Sequence, residues 1–372
     1  MTQFNRRQWL KAAGITGSLA LINGYSPLQA TPSIKYPAKP VSGMIRLNSN
    51  ENPYGPSPKV REAIKIAFDM ACRYPYSFSG ELMGMIAEKE GVTKDHVVIT
   101  GGSTEGLNLT GLVYGRNGGE IIAGYPTFLS MMRYAEHFGG YAHMVPLDEN
   151  QAHDLEAMSK RVNSKTRIIY ICNPSNPTGT IVDGNKLRDF CKSMSKEALV
   201  FCDEAYFDYI EEPDYPSMLD LVRDDLNVIV CRTFSKVYGL AGMRLGYMIA
   251  RPDIAKRLRE KVPAFTNMLA IEAAKAALED SEFYQYSLAQ NRKAKAIIYQ
   301  TLDDLNLKYI KTHTNFVFFE SGREISDLNQ DMKNQGVQIG RPFPPLTKWC
   351  RISTGTIEEV EKFGQGLKKV MA

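Results

Sequence analysis

The chain has 372 residues, of which 44% are hydrophobic, and a formal net charge of +4 at pH 7. This length and apolar content allow a large buried core and predict about two domains. The positive excess comes mainly from Arg6, Arg7 and Lys11, because the charges of the remaining residues nearly balance. We therefore expect no nucleic-acid partner. The five histidines lack metal-ligand spacing, which predicts no metal site, and the six cysteines define no disulfide framework in a chain this long.

Residues 1–30 differ from the rest of the sequence and resemble a twin-arginine export signal. The pair Arg6 and Arg7 precedes an aromatic residue, a leucine and a mildly apolar stretch over residues 12–22, and a small-residue cleavage site ends at Ala30. The apolar stretch is too short and too rich in Gly and Ser to span a bilayer. The resemblance implies export to the periplasm and no stable membrane anchor. The alternative is a basic amphipathic helix.

After this segment the sequence divides into three parts. Residues 31–69 are rich in proline and predict an extended N-terminal arm together with part of a small domain. Over residues 70–265, short apolar runs alternate with helical patterns, which predicts a large α/β domain with a mostly parallel sheet. Residues 266–372 predict a connecting helix, over residues 267–302, and a smaller α+β domain. The apolar runs that predict its strands lie at residues 315–320 and 338–354.

An anion-binding segment is predicted where the strand-like residues 97–100 end. Gly102 is followed there by the hydroxyl residues Ser103 and Thr104, which open a helical pattern. Such an arrangement presents backbone N–H groups and the positive end of a helix dipole to an anion. The glycines do not spell the dinucleotide-binding fingerprint. An ordinary helix cap has the same residue types, so this segment indicates an anion-binding site only in combination with other motifs.

Two further strand ends carry polar residues. Residues 172–180 read CNPSNPTGT, a turn cluster that contains Asn176 and follows a strand-like run. Asp203 ends a second apolar run, over residues 198–202. A helix N-cap would account for this aspartate by itself. Because the carboxyl ends of parallel strands meet at one edge of a sheet, we expect these side chains to lie near one crevice.

A lysine follows the strand-like run over residues 227–231, and its neighbours carry hydroxyl groups. Lys236 comes after Thr233 and Ser235, and Arg244 follows a glycine-rich turn. An ammonium group is rarely buried without a partner, and a Schiff base to an aldehyde cofactor would account for this one. Hydroxyl groups and arginine are ligands for phosphate. Together these features describe a lysine that binds pyridoxal 5'-phosphate (PLP).

With PLP at Lys236, the aspartate also gains a chemical role. The carboxylate of Asp203 can pair with the pyridine nitrogen of the cofactor and keep it protonated. The protonated ring is then an electron sink for the carbanion that forms when a Cα–H bond breaks. This interpretation is favoured over the N-cap because the two residues occur together.

These motifs, in this order, resemble the fold-type I PLP-dependent aminotransferases, particularly the histidinol-phosphate aminotransferase-like branch. The resemblance extends over about residues 47–356, and it rests on NPSNPTG around Asn176, ALVFCDEAY around Asp203 and RTFSK at Lys236. It implies the PLP transferase fold type I, which is an α/β fold. In this fold, helices sandwich the mostly parallel sheet of a large domain, and a smaller α+β domain accompanies it.

The resemblance also implies the contacts with PLP. Asn176 and Tyr206 would donate hydrogen bonds to its phenolic oxygen and stabilise the phenolate, which tunes the pKa of the Schiff base. Tyr125 would stack on the pyridine ring, and Tyr54 would reach the cofactor phosphate of the neighbouring subunit in a homodimer. The implied catalytic residue is Lys236. The implied cofactor-binding residues are Gly102, Ser103, Thr104, Tyr125, Asn176, Asp203, Tyr206, Thr233, Ser235, Lys236, Arg244 and Tyr54.

Three residues are implied to contact the substrate. Arg351, in the segment CRISTGT, matches the arginine that binds the α-carboxylate, and a guanidinium suits this planar bidentate contact. Asn176 and Arg341 are the other two residues that the resemblance implies to contact the substrate. The prolines after Arg341 depart from the family pattern, which leaves open whether the substrate carries a phosphate.

The activity that the resemblance implies is transfer of an amino group between an amino acid, or an amine like histidinol phosphate, and a 2-oxo acid. A PLP-dependent decarboxylase of the same fold is an alternative, because the motifs do not report which bond at Cα lies along the π-system. A non-catalytic PLP-binding protein is a third possibility, which the presence of both Lys236 and Asp203 disfavours. The amino donor, the acceptor and cleavage of the signal at Ala30 are left open.

Overall fold

The computed structural model describes residues 43–372, so the predicted export signal lies outside the described residues. The strands are β1 (Ile45–Arg46), β2 (Val97–Thr100), β3 (Glu120–Tyr125), β4 (Tyr141–Pro146), β5 (Thr166–Cys172), β6 (Leu199–Asp203), β7 (Val228–Thr233), β8 (Gly246–Ala250), β9 (Tyr309–Ile310), β10 (Phe316–Glu320), β11 (Val337–Gln338) and β12 (Trp349–Ser353). The α-helices are α1 (Pro58–Ala67), α2 (Tyr76–Glu90), α3 (Ser103–Gly115), α4 (Ser130–Glu136), α5 (Leu155–Ser159), α6 (Gly184–Met194), α7 (Leu219–Arg223), α8 (Pro252–Arg259), α9 (Met268–Leu278), α10 (Ser281–Asp304), α11 (Ile325–Asn334) and α12 (Ile357–Met371).

Seven strands form the main sheet, in the spatial order β2-β8-β7-β6-β5-β3-β4. The pairs β3–β4, β3–β5, β5–β6 and β6–β7 are parallel. Strand β8 runs antiparallel to both of its neighbours, β2 and β7. The predicted mostly parallel sheet is therefore confirmed. The sequence patterns did not predict β4 or β8. Strand β8 directly follows a glycine-rich turn, so its short apolar run was not recognised as a strand.

The central strands are buried on both faces, which explains why they read as continuous apolar runs. Along β6, Val200 and Cys202 belong to one hydrophobic core, and Leu199 and Phe201 belong to another. Side chains alternate between the faces of a strand, so the two cores lie on opposite faces of the sheet. Helices α1, α2, α6, α7 and α9 pack on the first core, and α3, α4 and α8 pack on the second. This sandwich brings the ends of the parallel strands to one open edge.

A second, antiparallel sheet of order β12-β10-β9 packs on a third core with α10, α11 and α12. Strand β1 pairs in parallel with β11, and Leu47 enters the same core. The predicted connecting helix is two helices, because Asp280 accepts a hydrogen bond from Phe283 N and starts α10 after α9 has ended. The predicted domain boundaries remain predictions. Over the described part of the chain, no helix is long and apolar enough to cross a membrane.

Candidate active site

The ends of β5, β6 and β7, the start of α3 and the N-terminal arm surround a cavity of about 330 Å³. Nine of the predicted site residues line it: Ser103, Thr104, Asn176, Asp203, Tyr206, Ser235, Lys236, Arg244 and Arg351. The other lining residues are Ser49, Asn50, Glu51, Phe128, Cys172, Ala205 and Ala241. The structure therefore brings together segments that are spread over about three hundred residues of sequence.

Lys236 lies three residues beyond the end of β7 and points its amine into this cavity. Its Nζ donates a hydrogen bond to the backbone oxygen of Asn50 at 3.0 Å and lies 5.3 Å from the centroid of the Tyr206 ring. Burial and, to a lesser extent, the positive charge of Arg351 together lower the pKa of Lys236 to about 8. The neutral amine, which is the form that attacks an aldehyde, is therefore accessible near neutral pH.

Asp203 is buried at the end of β6. Its two carboxylate oxygens accept hydrogen bonds from the Tyr170 hydroxyl at 3.0 Å and from the Ala205 N–H at 3.2 Å. Burial raises the pKa of Asp203 to about 6, although these hydrogen bonds and the charge of Lys236 act against it. A protonated ring nitrogen would supply the opposite charge that this buried carboxylate needs.

Replacing this carboxylate is expected to stabilise the cofactor-free protein. A pKa of about 6, raised from an ordinary 3.8, means that the folded state holds its proton to higher pH than the unfolded chain. Stability therefore falls as pH rises from about 4 to 6, and the full cost of about 3 kcal/mol is present above pH 6. Asparagine offers one acceptor oxygen in place of two, so its altered contacts with Tyr170 and Ala205 offset part of this, and Asp203→Asn should raise the unfolding free energy by about 1–3 kcal/mol at pH 8.

Urea unfolding of the cofactor-free protein at pH 8, 6 and 4 measures this difference. The advantage of Asp203→Asn should shrink as pH falls and should vanish near pH 4. The control is Asp225→Asn, because Asp225 is exposed to solvent whereas Asp203 is buried. A constant difference between Asp203→Asn and the parent at all three pH values would contradict the prediction.

Tyr206 and Asn176 lie side by side. The Tyr206 hydroxyl accepts hydrogen bonds from the side-chain amides of Asn50 at 2.9 Å and Asn176 at 3.4 Å. Burial raises the pKa of Tyr206 above its ordinary value, so the hydroxyl keeps its proton at neutral pH. Both residues can thus act as hydrogen-bond donors to an anionic oxygen in the cavity.

Arg351, in β12, is a buried guanidinium. It donates to Asn176 Oδ1 at 2.6 Å and to Asn48 O at 3.0 Å, while its buried Nε has no partner. Within residues 43–372 no carboxylate forms a salt bridge with it. Burial lowers the pKa of Arg351 to about 10. A buried cation with an unpaired donor is a suitable binding group for a carboxylate.

Another part of the cavity is suited to a phosphate. Ser103 and Thr104 are the first residues of α3, and they line the cavity together with Ser235 and Arg244. Gly102 has a φ of 89°, and a Cβ atom there would stand 2.5 Å from Arg244 Nη2. This left-handed conformation and close approach require glycine. Arg244 is held by its bonds to the oxygens of Ala241, at 2.8 Å, and Gly101, at 3.3 Å.

Several predicted residues do not line the cavity. Thr233 is buried behind it and accepts a hydrogen bond from Ser235 N at 3.1 Å. Tyr125 ends β3, whereas Phe128, three residues later, lines the cavity. Tyr54 packs against Tyr286, with 5.3 Å between ring centroids. The implied cofactor contacts of Tyr125 and Tyr54 remain predictions.

Arg341 lies beside a second cavity, of about 320 Å³, that shares Phe128 with the first. Arg133 and His137 also line this second cavity. The positive charge of Arg133 and, above all, burial lower the pKa of Arg341. The implied substrate contact of Arg341 would therefore be made from this neighbouring cavity. Across the described residues, no group of three or more His, Cys, Asp or Glu side chains could hold a metal ion.

The sequence interpretation missed Asn50 and Phe128. Asn50 lies in the polar run NSNEN of the arm, between Leu47 and Pro53. This run of five polar residues beside an apolar one was the available signal, but nothing local shows that it meets Lys236. Phe128 lies in the segment GYPTF, where two aromatic residues are candidates for the cavity.

This geometry fits an aldehyde cofactor that carries a phosphate and a ring nitrogen. Residues 42–367 match the family Aminotransferase class I and II. The chain is similar to the histidinol-phosphate aminotransferase of Moorella thermoacetica, with 38% identity over 89% of this chain and 86% of the relative. The corresponding enzyme of Caldicellulosiruptor saccharolyticus is 36% identical over 90% of this chain and 96% of the relative.

Among solved structures, the fold is similar to histidinol-phosphate aminotransferase from Sinorhizobium meliloti in complex with PLP. The TM-score is 0.83 and the sequence identity 26%, over 88% of this chain and 91% of that structure. The chain belongs to the class I and II aminotransferase family, and it has the PLP transferase fold type I. It is a PLP-dependent aminotransferase. The anion-binding end, the amine of Lys236 and the buried carboxylate of Asp203 fit the three functional groups of PLP.

Proposed function

We propose that this protein transfers an amino group between an amino acid and a 2-oxo acid, with Lys236 as the residue that binds the cofactor covalently. The observation that carries this proposal is the amine of Lys236, with its lowered pKa, in one cavity with Asp203 and Arg351. PLP, when bound, supplies an aldehyde that amines attack and a ring that accepts electrons from Cα. Lys236, once its amine is free, moves the proton at the substrate Cα as a general base and acid.

The other residues bind and orient the substrate and the cofactor. Arg351 binds the α-carboxylate of donor and acceptor, because this arginine lines the cavity and its buried Nε has no partner within the described residues. Asp203 holds the proton of the ring nitrogen, and Tyr206 with Asn176 donates to the phenolic oxygen. Arg244 and the hydroxyl residues at the start of α3 hold the phosphate.

The donor is proposed to be an amino acid or an amine like histidinol phosphate. Relatives named histidinol-phosphate aminotransferase support the second choice, and Arg341 in the neighbouring cavity offers a contact for a distal anion. Purified protein with PLP should convert one donor of a panel to its oxo product and form the amino acid of the added 2-oxo acid. Release of CO₂ without an oxo product would indicate the decarboxylase instead.

We propose that the active enzyme is a homodimer. An exposed aromatic cluster supports this: Tyr74, Tyr76 and Phe265 are 73%, 66% and 59% exposed and contact one another, with ring centroids 5.0–6.1 Å apart. Neighbouring exposed aromatic rings are typical of protein interfaces. The family resemblance further suggests that Tyr54 reaches the cofactor phosphate of the partner copy.

Removing two of these rings is expected to weaken the dimer. Each buried aromatic side chain contributes about 1.5–3 kcal/mol, so Tyr76→Ser with Phe265→Ser should raise the dimer dissociation constant at least about tenfold. Tyr141→Ser is the matched control, because Tyr141 is as exposed as Phe265 and lies on the edge strand β4. The dimer dissociation constant is measured by sedimentation equilibrium. A fully active monomer of the parent protein would contradict the proposal.

We also propose that the protein is exported after folding, in its PLP-loaded form. The support is the Arg6 and Arg7 pair in a weakly apolar N-terminal segment. The cofactor contacts come from distant parts of the chain, so PLP can bind only after folding. Replacing both arginines with lysine should leave active, PLP-loaded precursor in the cytoplasm, as fractionation and activity measurements would detect. Normal export of this variant would indicate an ordinary secretory signal instead.

A further inference from the structure

Asn50 is a buried residue of the N-terminal arm that links the main functional groups of the cavity. It has a left-handed backbone conformation, with a φ of 55°. Its backbone oxygen accepts hydrogen bonds from Lys236 Nζ and Asn315 Nδ2, each at 3.0 Å. Its side-chain amide donates to the Tyr206 hydroxyl at 2.9 Å. A non-glycine residue in this conformation is uncommon and is found where surrounding contacts hold it in place.

The orientation of the Asn50 amide is determined by Ser353. The Asn50 N–H donates to Ser353 Oγ at 2.7 Å, so the serine hydroxyl hydrogen is free to donate to Asn50 Oδ1, at 2.9 Å. With Oδ1 used as the acceptor, the NH₂ group must be the one that faces Tyr206. The Asn176 amide is oriented in the same way, because its Oδ1 accepts from Arg351.

Two amide donors therefore meet one hydroxyl oxygen. A tyrosine hydroxyl has a single hydrogen and a limited number of acceptor positions. Because Asn50 and Asn176 both donate to the oxygen of Tyr206, its own hydrogen cannot point at either amide. The remaining direction is the cavity, which Tyr206 lines together with Lys236.

We propose that Asn50 is a positioning residue that directs the Tyr206 hydroxyl hydrogen towards the phenolic oxygen of the cofactor. This inference rests on the proposed function of the same site. By keeping Tyr206 a donor, Asn50 stabilises the phenolate and so lowers the pH at which the bound cofactor loses its proton. The titratable groups that face Tyr206 are Arg351 of β12, Lys236 after β7, Cys172 of β5 and Asp203 of β6, and the test leaves all four in place.

Asn50→Gly tests this role, because glycine adopts a φ of 55° without strain and keeps the backbone oxygen that binds Lys236. The measured quantity is the pH midpoint of the absorbance change of the PLP-loaded protein. We expect the midpoint to rise by about one unit, since a hydrogen bond to a charged group is lost or weakened. Asn50→Asp, which keeps the size of the side chain but offers an acceptor, is the second variant should Asn50→Gly fail to fold.

The decisive comparison repeats each variant in a Tyr206→Phe background. Because Asn50 is proposed to act through the hydroxyl, its effect on the midpoint should disappear when that hydroxyl is absent. An unchanged midpoint in Asn50→Gly, or an equal rise in both backgrounds, would overturn the proposal. Asn52→Gly is the structural control, since Asn52 lies two residues away and donates to Val237 O and Ser287 Oγ instead. A parent protein without the cofactor absorbance would refute the proposed function itself.

Discussion

Lys236→Ala is expected to lower kcat by at least about 10³-fold. This variant removes both the covalent attachment of the cofactor and the base that moves the Cα proton, and a positioned base by itself contributes about 10²–10⁴-fold. The fold should survive, because the only hydrogen bond of the Lys236 side chain in the described structure is that to Asn50 O. Steady-state transamination, with thermal unfolding as a check on folding, measures the effect.

Borohydride reduction identifies the attached lysine independently of activity. In the parent protein, peptide mapping should find the reduced pyridoxyl group on the peptide that contains Lys236. Lys295 is the matched control, because it is also buried but pairs with Glu211 at 2.9 Å. Label on Lys295 or on any other lysine would refute the assignment, as would a Lys236→Ala variant with normal turnover.

Arg351→Lys is expected to raise the KM for amino donor and 2-oxo acceptor by about 10–100-fold. Lysine keeps the positive charge but loses the planar pair of donors, and a hydrogen bond to a charged group contributes about 1.5–3 kcal/mol. PLP should remain bound, because the side-chain hydrogen bonds of Arg351 in the described structure are with Asn176 and Asn48 and not with the proposed phosphate-binding residues. Initial-rate kinetics and the absorbance of the bound cofactor measure the two properties separately.

The variant Arg341→Lys is compared with Arg351→Lys for its effect on KM. The Arg341 guanidinium lies over the Phe343 ring at 4.3 Å and lines the neighbouring cavity. Its replacement should therefore affect only donors whose side chain reaches that cavity, whereas Arg351→Lys should affect every donor with an α-carboxylate. Unchanged KM values for all donors in Arg351→Lys would remove Arg351 from the carboxylate site.

Local patterns in the sequence were sufficient for five of the seven strands of the main sheet and for the polar residues at several strand ends. Each of β2, β5, β6 and β7 is a short apolar run that stops at a polar residue, and this contrast is visible within a few positions. Asp203 and Lys236 could therefore be predicted as site residues, since their place at a strand end follows from their immediate neighbours. Strand β8 was missed because it directly follows a glycine-rich turn, so its apolar run does not stand out from its immediate neighbours.

Tertiary structure determined which of these residues are in contact. It also determined the protonation states of their side chains. Asn50 contacts Tyr206 and Lys236 across 156 and 186 positions of sequence, and no local pattern reports such contacts. Whether Tyr125 or Phe128 lines the cavity depends on the path of the chain after β3. The lowered pKa of Lys236 and the raised pKa of Asp203 follow mainly from burial, which exists only once the strand ends, the arm and β12 have packed together. Sequence by itself thus determined the chemical groups, while packing determined their partners and their charges.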